Sequence, residues 1–341
     1  MKYAYLLLLL FICQFIDGQD ILGPDQPISG PGGSEYLHDS IVQYDYAAKP
    51  DGFWLYEPAL PRPDSAHLVV FVHGYGAYNP VIYGDWIEHL VRKGNIVLFP
   101  RFQKNLFSPS AAAFIPNVAT AIKDAMAIMM DTTNHVLPIV SQLAFVGHSY
   151  GGVISAGLGA AYAENDIPQP KVLMLCSPGS GPLSGGVLED YSGIPADTKL
   201  LVMVSEDDRI VGDKLGLRIF ETATKVGDRN LVRQFKDHHG SEQLEAGHNE
   251  CYSFNAFLDN GVRNITARRA KSTSTKDAVD YFGYWKILDA LLDCTRSNTY
   301  CNYALGDTPE QRSMGIWSDG KVIKELEITQ PEKKVVSKKI N

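Results

Sequence analysis

The chain has 341 residues, 45% hydrophobic and 10% aromatic, enough apolar material for a large folded core and too much for a disordered protein. Its 31 basic and 39 acidic residues give a net charge of −8 and a pI near 5.6, which argues against nucleic acid as a partner. No Pro/Gly/Ser-rich linker and no internal repeat divides the middle, so a single large α/β domain is expected.

Residues 1–18, "MKYAYLLLLLFICQFIDG", read as a signal peptide. Lys2 is the positive start, Ala4 to Phe15 is an apolar run short for a bilayer span, and Gly18 is a small residue at a plausible cleavage point. The expectation is an exported protein starting near Gln19, with no integral membrane segment after the leader is removed. One domain is expected over 19–328 and a flexible basic tail over 329–341.

After a polar, Gly/Pro-rich start, "FWLYEP" reads as an edge strand. "HLVVFVHGYG" is a continuous apolar run ending in glycine, as strands buried on both faces do. "DWIEHLVRKG" reads as a helix with Asp85 as N-cap and Gly94 as its stop. "NIVLFP" is the next buried strand, and Ile115, Val118, Ile122, Met126 and Met129 recur at helical spacing.

"LAFVG" is a strand followed at once by the alanine-rich helix "VISAGLGAAYA". "KVLMLC", "KLLVMV" and "LVRQF" continue the strands, with "GDKLGLRIFETAT" a helix between the last two. "YFGYWKILDALLDC" is amphipathic and helical. "MGIWSDGKVIKELEIT" reads as a hairpin turning at Asp319-Gly320. Strands alternating with helices imply a mostly parallel sheet covered on both faces.

The chemistry centres on "FVGHSYGG", which lies between a strand and a helix rich in small residues. Ser149 between Gly147 and Gly151 has the setting of a nucleophile held on a sharp turn at a helix N-terminus. A hydroxyl there needs a base at neutral pH, and the oxyanion formed by its attack needs N–H donors. Tyr150 offers one amide, and the strand-end loop "VHGYGAY" offers a second through Tyr75. His73 reads as a residue that orients this loop.

"LLVMVSEDDRIV" places Glu206, Asp207 and Asp208 at a strand end, where a carboxylate can hold the base's tautomer. Asp208 is the first choice and Asp207 the alternative. In "KDHHGSEQLEAGHNE" three histidines compete for the base: His238, His239 and His248. His239 follows the strand directly and is preferred, with His248 as the alternative. His89 and His135 have no comparable placement.

The order Ser149, Asp208, histidine resembles that of the α/β-hydrolase superfamily, over Phe53 to about Leu292. "GHSYGG" is similar to the elbow of lipases and esterases, and "HGYGA" to the oxyanion loop of the cutinase-like and polyester-hydrolase-like branch. The resemblance implies that the Tyr75 amide is a donor. "SEDDRIV" resembles the family's Gly-x-x-Asp-x-x-Val segment, with Ser205 in place of the glycine, and that register selects Asp208. The acid-to-histidine spacing usual in the family, about thirty residues, favours His239. "EAGHNE" is similar to the histidine loop of the polyester-hydrolase branch and keeps His248 open.

The expected function is a secreted serine esterase acting through an acyl-enzyme, without a cofactor or metal. Its partner would be an ester, whether small molecule, lipid or polyester. Tyr75, Tyr78, Tyr83, Trp86 and Tyr150 suggest an aromatic-lined cleft. A serine peptidase on the same fold, or an inactive binding protein with a hydrolase shell, are the alternatives. Without Cys13 four cysteines remain; Cys294 and Cys301, in "CTRSNTYC", are the expected disulfide, and Cys176 reads as a buried apolar residue. Asn264-Ile265-Thr266 is a candidate glycosylation site.

Overall fold

The computed structural model describes residues 20–107, 109–183 and 185–332. The signal-peptide expectation and residues 333–341 of the expected tail lie outside the described residues.

Nine strands form one sheet: β1 (Ser40–Asp45), β2 (Phe53–Ala59), β3 (Ser65–Val72), β4 (Asn95–Pro100), β5 (Leu137–His148), β6 (Val172–Cys176), β7 (Lys199–Ser205), β8 (Arg229–Gln234) and β9 (Glu327–Thr329). Their spatial order is β1-β2-β4-β3-β5-β6-β7-β8-β9. The strands from β4 to β8 in that order run parallel, whereas β1, β2 and β9 pair antiparallel at the two ends. The mostly parallel sheet expected from the alternation is therefore present.

Both faces of the sheet are buried, which is why its central strands read as unbroken apolar runs. Along β3, Leu68, Val70 and Val72 point into one hydrophobic layer, and Val69 and Phe71 into the other. The first layer takes helices α2 (Phe114–Ile128), α3 (Tyr150–Ala160) and α4 (Lys214–Thr222). The second takes α1 (Gly84–Arg92), α5 (Ile265–Thr273) and α6 (Trp285–Ser297). Each large aliphatic side chain so buried contributes about 1.5–3 kcal/mol.

Several local expectations change. "FWLYEP" is β2, and it is not an edge, because β1 pairs along its full length. β1 was hidden in the sequence because its residues are at most half-buried and carry little apolar alternation. Asp85 lies in the first turn of α1, where Tyr83 stands at the cap position without a side-chain bond. Residues Ala111–Ile128 are long and apolar enough for a membrane span by length and composition. Phe114, Val118, Ala121, Ile122 and Ala125 are nevertheless buried against the sheet.

The C-terminal hairpin is reduced to a turn at Asp319-Gly320 closed by an Ile316–Val322 bridge. The chain then leaves to form β9 against β8, so Thr329, assigned to the tail from sequence, ends a strand. Cys294 and Cys301 form the expected disulfide, with an S–S length of 2.03 Å. Cys176 is fully buried, as is nearly all of Cys251, and both are free thiols.

Candidate active site

Three loops at the C-terminal ends of the parallel strands converge on Ser149. The first is the turn from β5 into α3, where Ser149 has φ 54° and ψ −119°. Non-glycine residues rarely adopt such angles, and the strain is held by the surrounding structure. Gly151 is required by the closeness of the turn, since a Cβ there would lie 2.0 Å from the Val72 carbonyl oxygen. Ser149 thus projects at the start of α3, where first-turn N–H groups lack intrahelical partners.

The second loop follows β7. Asp208 Oδ1 accepts the amides of Ile210 and Val211 at 2.9 and 3.0 Å, leaving Oδ2 to accept from His248 Nδ1 at 2.7 Å. Burial pushes the Asp208 carboxyl up, but the His248 bond and charge and the two amides outweigh it, so it ionises below the usual range. Asp207 points elsewhere, to Lys236 and Arg209.

The third loop carries His248, whose Nε2 lies 2.9 Å from Ser149 Oγ. The carboxylate fixes the proton on Nδ1 and so presents the Nε2 lone pair to the serine. Ser149, Asp208 and His248 are all buried or nearly so.

His239, the preferred base from sequence, is not at this site. It pairs with Asp319 at 2.7 Å and lies beside Lys321 on the protein surface. After β8 the chain makes an excursion closed by an Asp237–Leu244 bridge, and Ser241 binds the Ile21 carbonyl. That excursion carries His239 away and lengthens the acid-to-histidine spacing to 40 residues. His238 faces Glu245, His89 faces Asp289 and His135 faces Glu57.

The loop after β3 carries Tyr75, whose amide the sequence suggests as an oxyanion donor. The amide of Gly74 donates to Tyr83 Oη at 3.0 Å and that of Gly76 to Gln103 Oε1 at 2.8 Å. Between them the Tyr75 amide has no protein acceptor among the described residues. His73 orients this loop from its fully buried ring, with Nδ1 2.7 Å from the Gly74 carbonyl and Nε2 2.9 Å from that of Arg101. Burial lowers its pKa to about 4.

A cleft of about 570 Å³ opens over Ser149, lined by Tyr75, Tyr150, Leu183, Val211, Tyr252 and Ile265 among others. Of the aromatics expected there, Tyr75 and Tyr150 line it, whereas Tyr78, Tyr83 and Trp86 are buried in the body of the protein. Tyr252 is not evident from sequence, because only the fold brings it into the cleft. Asn264 caps α5 through the Ala267 amide, and its Nδ2, where a glycan would attach, donates to the Gly76 carbonyl at 2.8 Å. Asn264 thus has a structural task at the start of α5. Among the described residues no group of three or more His, Cys, Asp or Glu is arranged to hold a metal.

A family model described as Chlorophyllase matches residues 55–181. The matched stretch runs from β2 past β6 and includes the Tyr75 loop and the Ser149 turn, but it stops before Asp208 and His248. It indicates an ester hydrolase of the α/β-hydrolase type and supports the superfamily without singling out the cutinase-like branch. No curated protein matches the chain.

Proposed function

We propose that the chain is an exported serine hydrolase of the α/β-hydrolase fold that cleaves carboxylic esters through an acyl-enzyme. The observation that carries this reading is the unbroken chain from Ser149 Oγ to His248 Nε2 at 2.9 Å and from His248 Nδ1 to Asp208 at 2.7 Å. As Oγ attacks the ester carbonyl, Nε2 takes the hydroxyl proton and the carbonyl electron pair moves onto oxygen. The amides of Tyr75 and Tyr150 hold that oxyanion. The intermediate collapses, the alcohol leaves with the proton from Nε2, and the acyl group stays on Ser149. Water, deprotonated by His248, then attacks and releases the acid.

Asp208 remains ionised throughout and stabilises the imidazolium. No cofactor enters these steps. The apolar lining of the cleft supports an ester with an apolar acyl or alcohol part. "HGYGA" and "EAGHNE" support a polyester-hydrolase-like arrangement of donor and base. Export is supported by the leader-like residues 1–18 and by the Cys294–Cys301 disulfide. The test is hydrolysis of p-nitrophenyl esters of increasing chain length by wild type and Ser149→Ala. Turnover that disappears in the variant is expected. A folded wild type inactive on every ester would contradict the reading.

A further inference from the structure

His148, the residue before Ser149, is nearly fully buried. Its Nε2 lies 2.9 Å from the backbone carbonyl oxygen of His248, and its Nδ1 lies 2.9 Å from Tyr83 Oη. A carbonyl can only accept, so the ring proton belongs on Nε2. Nδ1 is then a lone pair, and the Tyr83 hydroxyl donates to it. The same hydroxyl oxygen accepts the Gly74 amide at 3.0 Å. Every group in this run, Gly74 N–H to Tyr83, Tyr83 O–H to His148, and His148 N–H to His248, is used in one consistent direction.

We infer that His148 and Tyr83 are positioning residues that lock the oxyanion loop, the nucleophile turn and the base loop into one hydrogen-bonded unit. The inference rests on the Ser149–His248–Asp208 reading above. His148 is not a rival base, because its Nε2 is turned to the His248 carbonyl. Its protonation would break the pattern, since Nδ1 would become a donor facing a hydroxyl whose own proton then lacks an acceptor. Burial, with the nearby His248 adding to it, holds the His148 pKa down to about 3. A neutral ring also matters electrostatically: the His148 and His248 centroids are 4.9 Å apart, and His248 turns cationic during attack.

The packing is equally constrained. Tyr252, which lines the cleft, sets its ring edge-on to both His148 and Tyr83, at 5.4 and 5.3 Å. A Cβ at Gly74 would come within 2.9 Å of His148 Nδ1, so this loop position admits only glycine while the ring is in place. The glycine of "VHGYG" and the histidine of "GHSYG" are thereby two halves of one contact.

The experiment measures kcat, KM and the melting temperature of the full chain with a p-nitrophenyl ester, for Tyr83→Phe, His148→Leu and His148→Gln. Tyr83→Phe should lower kcat about tenfold and His148→Leu on the order of a hundredfold, with KM within about twofold, because misplaced reacting groups slow chemistry more than binding. His148→Gln keeps an N–H near the His248 carbonyl and should recover about tenfold over His148→Leu. The double variant Tyr83→Phe/His148→Leu should fall no further than His148→Leu, as both break the same chain. Variants with wild-type kcat, or Leu and Gln losses that are equal and follow the melting temperature, would overturn the inference. Should His148→Leu fail to fold, Tyr83→Phe, which removes one oxygen, decides alone. An inactive wild type would instead defeat the triad reading, whereas active wild type with unaffected variants defeats only the positioning role.

Discussion

Of the three histidines that follow β8, two hold an aspartate at 2.7 Å: His239 with Asp319, and His248 with Asp208. As isolated pairs they are chemically alike. They differ in surroundings, since the side chains of the first pair are 25% and 36% exposed and those of the second 6% and 1%. They differ also in what lies beyond the ring: Lys321 Nζ beside His239, and Ser149 Oγ beside His248. A histidine–carboxylate pair is therefore no mark of catalysis by itself. What distinguishes the second is its burial and a serine hydroxyl at hydrogen-bond distance on the free nitrogen.

The largest effects are expected at the serine and histidine of the second group. Ser149→Ala and His248→Ala should each lower kcat by on the order of 10⁴–10⁶, measured on the best ester of the series. Asp208→Asn keeps the shape but loses the charge and the tautomer control, and should lower kcat by on the order of 10³–10⁴. Asp208 ionises below its usual range when folded, so its contribution to stability is present above the unfolded pKa and lost as pH falls through the folded one. Wild type should lose more stability than Asp208→Asn on acidification below about pH 4, read from urea midpoints.

Glu250, two residues past His248, sharpens the contrast on the stability side. Burial raises its carboxyl pKa to about 7, so the folded state holds a proton that the unfolded state releases near 4.5. Stability from this group is full below about 4.5 and declines as pH rises through about 7, by up to about 3 kcal/mol. Glu250→Gln should flatten that slope in urea titrations; equal slopes would refute it. Asn264→Ala removes the cap of α5 and should cost about 1 kcal/mol. The smallest effect belongs to the exposed pair: His239→Ala and Asp319→Asn should leave kcat/KM within about twofold.

Much of the architecture was legible because parallel strands buried on both faces write long apolar runs. "VVFV", "IVLF" and "LVMV" left little choice, and glycines around Ser149 marked the tight turn. β1 was not legible, because none of its residues is fully buried and its sequence, SIVQYD, carries no clean apolar alternation. Ser149 and Asp208 could be chosen from their strand-end positions, which the sequence displays. The partner histidine could not be chosen that way. Its location depends on the excursion at residues 237–244, which is held by the distant Ile21 and packs Gly240 against Trp317. The contacts of His148 with Tyr83 and with the His248 carbonyl were hidden for the same reason, since pairings across 65 and 100 residues carry no periodic signal.

The most direct measurement is labelling by a fluorophosphonate probe of wild type, His239→Ala and His248→Ala, with the modified residue located by peptide mass analysis. Wild type and His239→Ala are expected to react at Ser149 at similar rates, and His248→Ala to be almost inert. Labelling that survives in His248→Ala and vanishes in His239→Ala would contradict the triad reading.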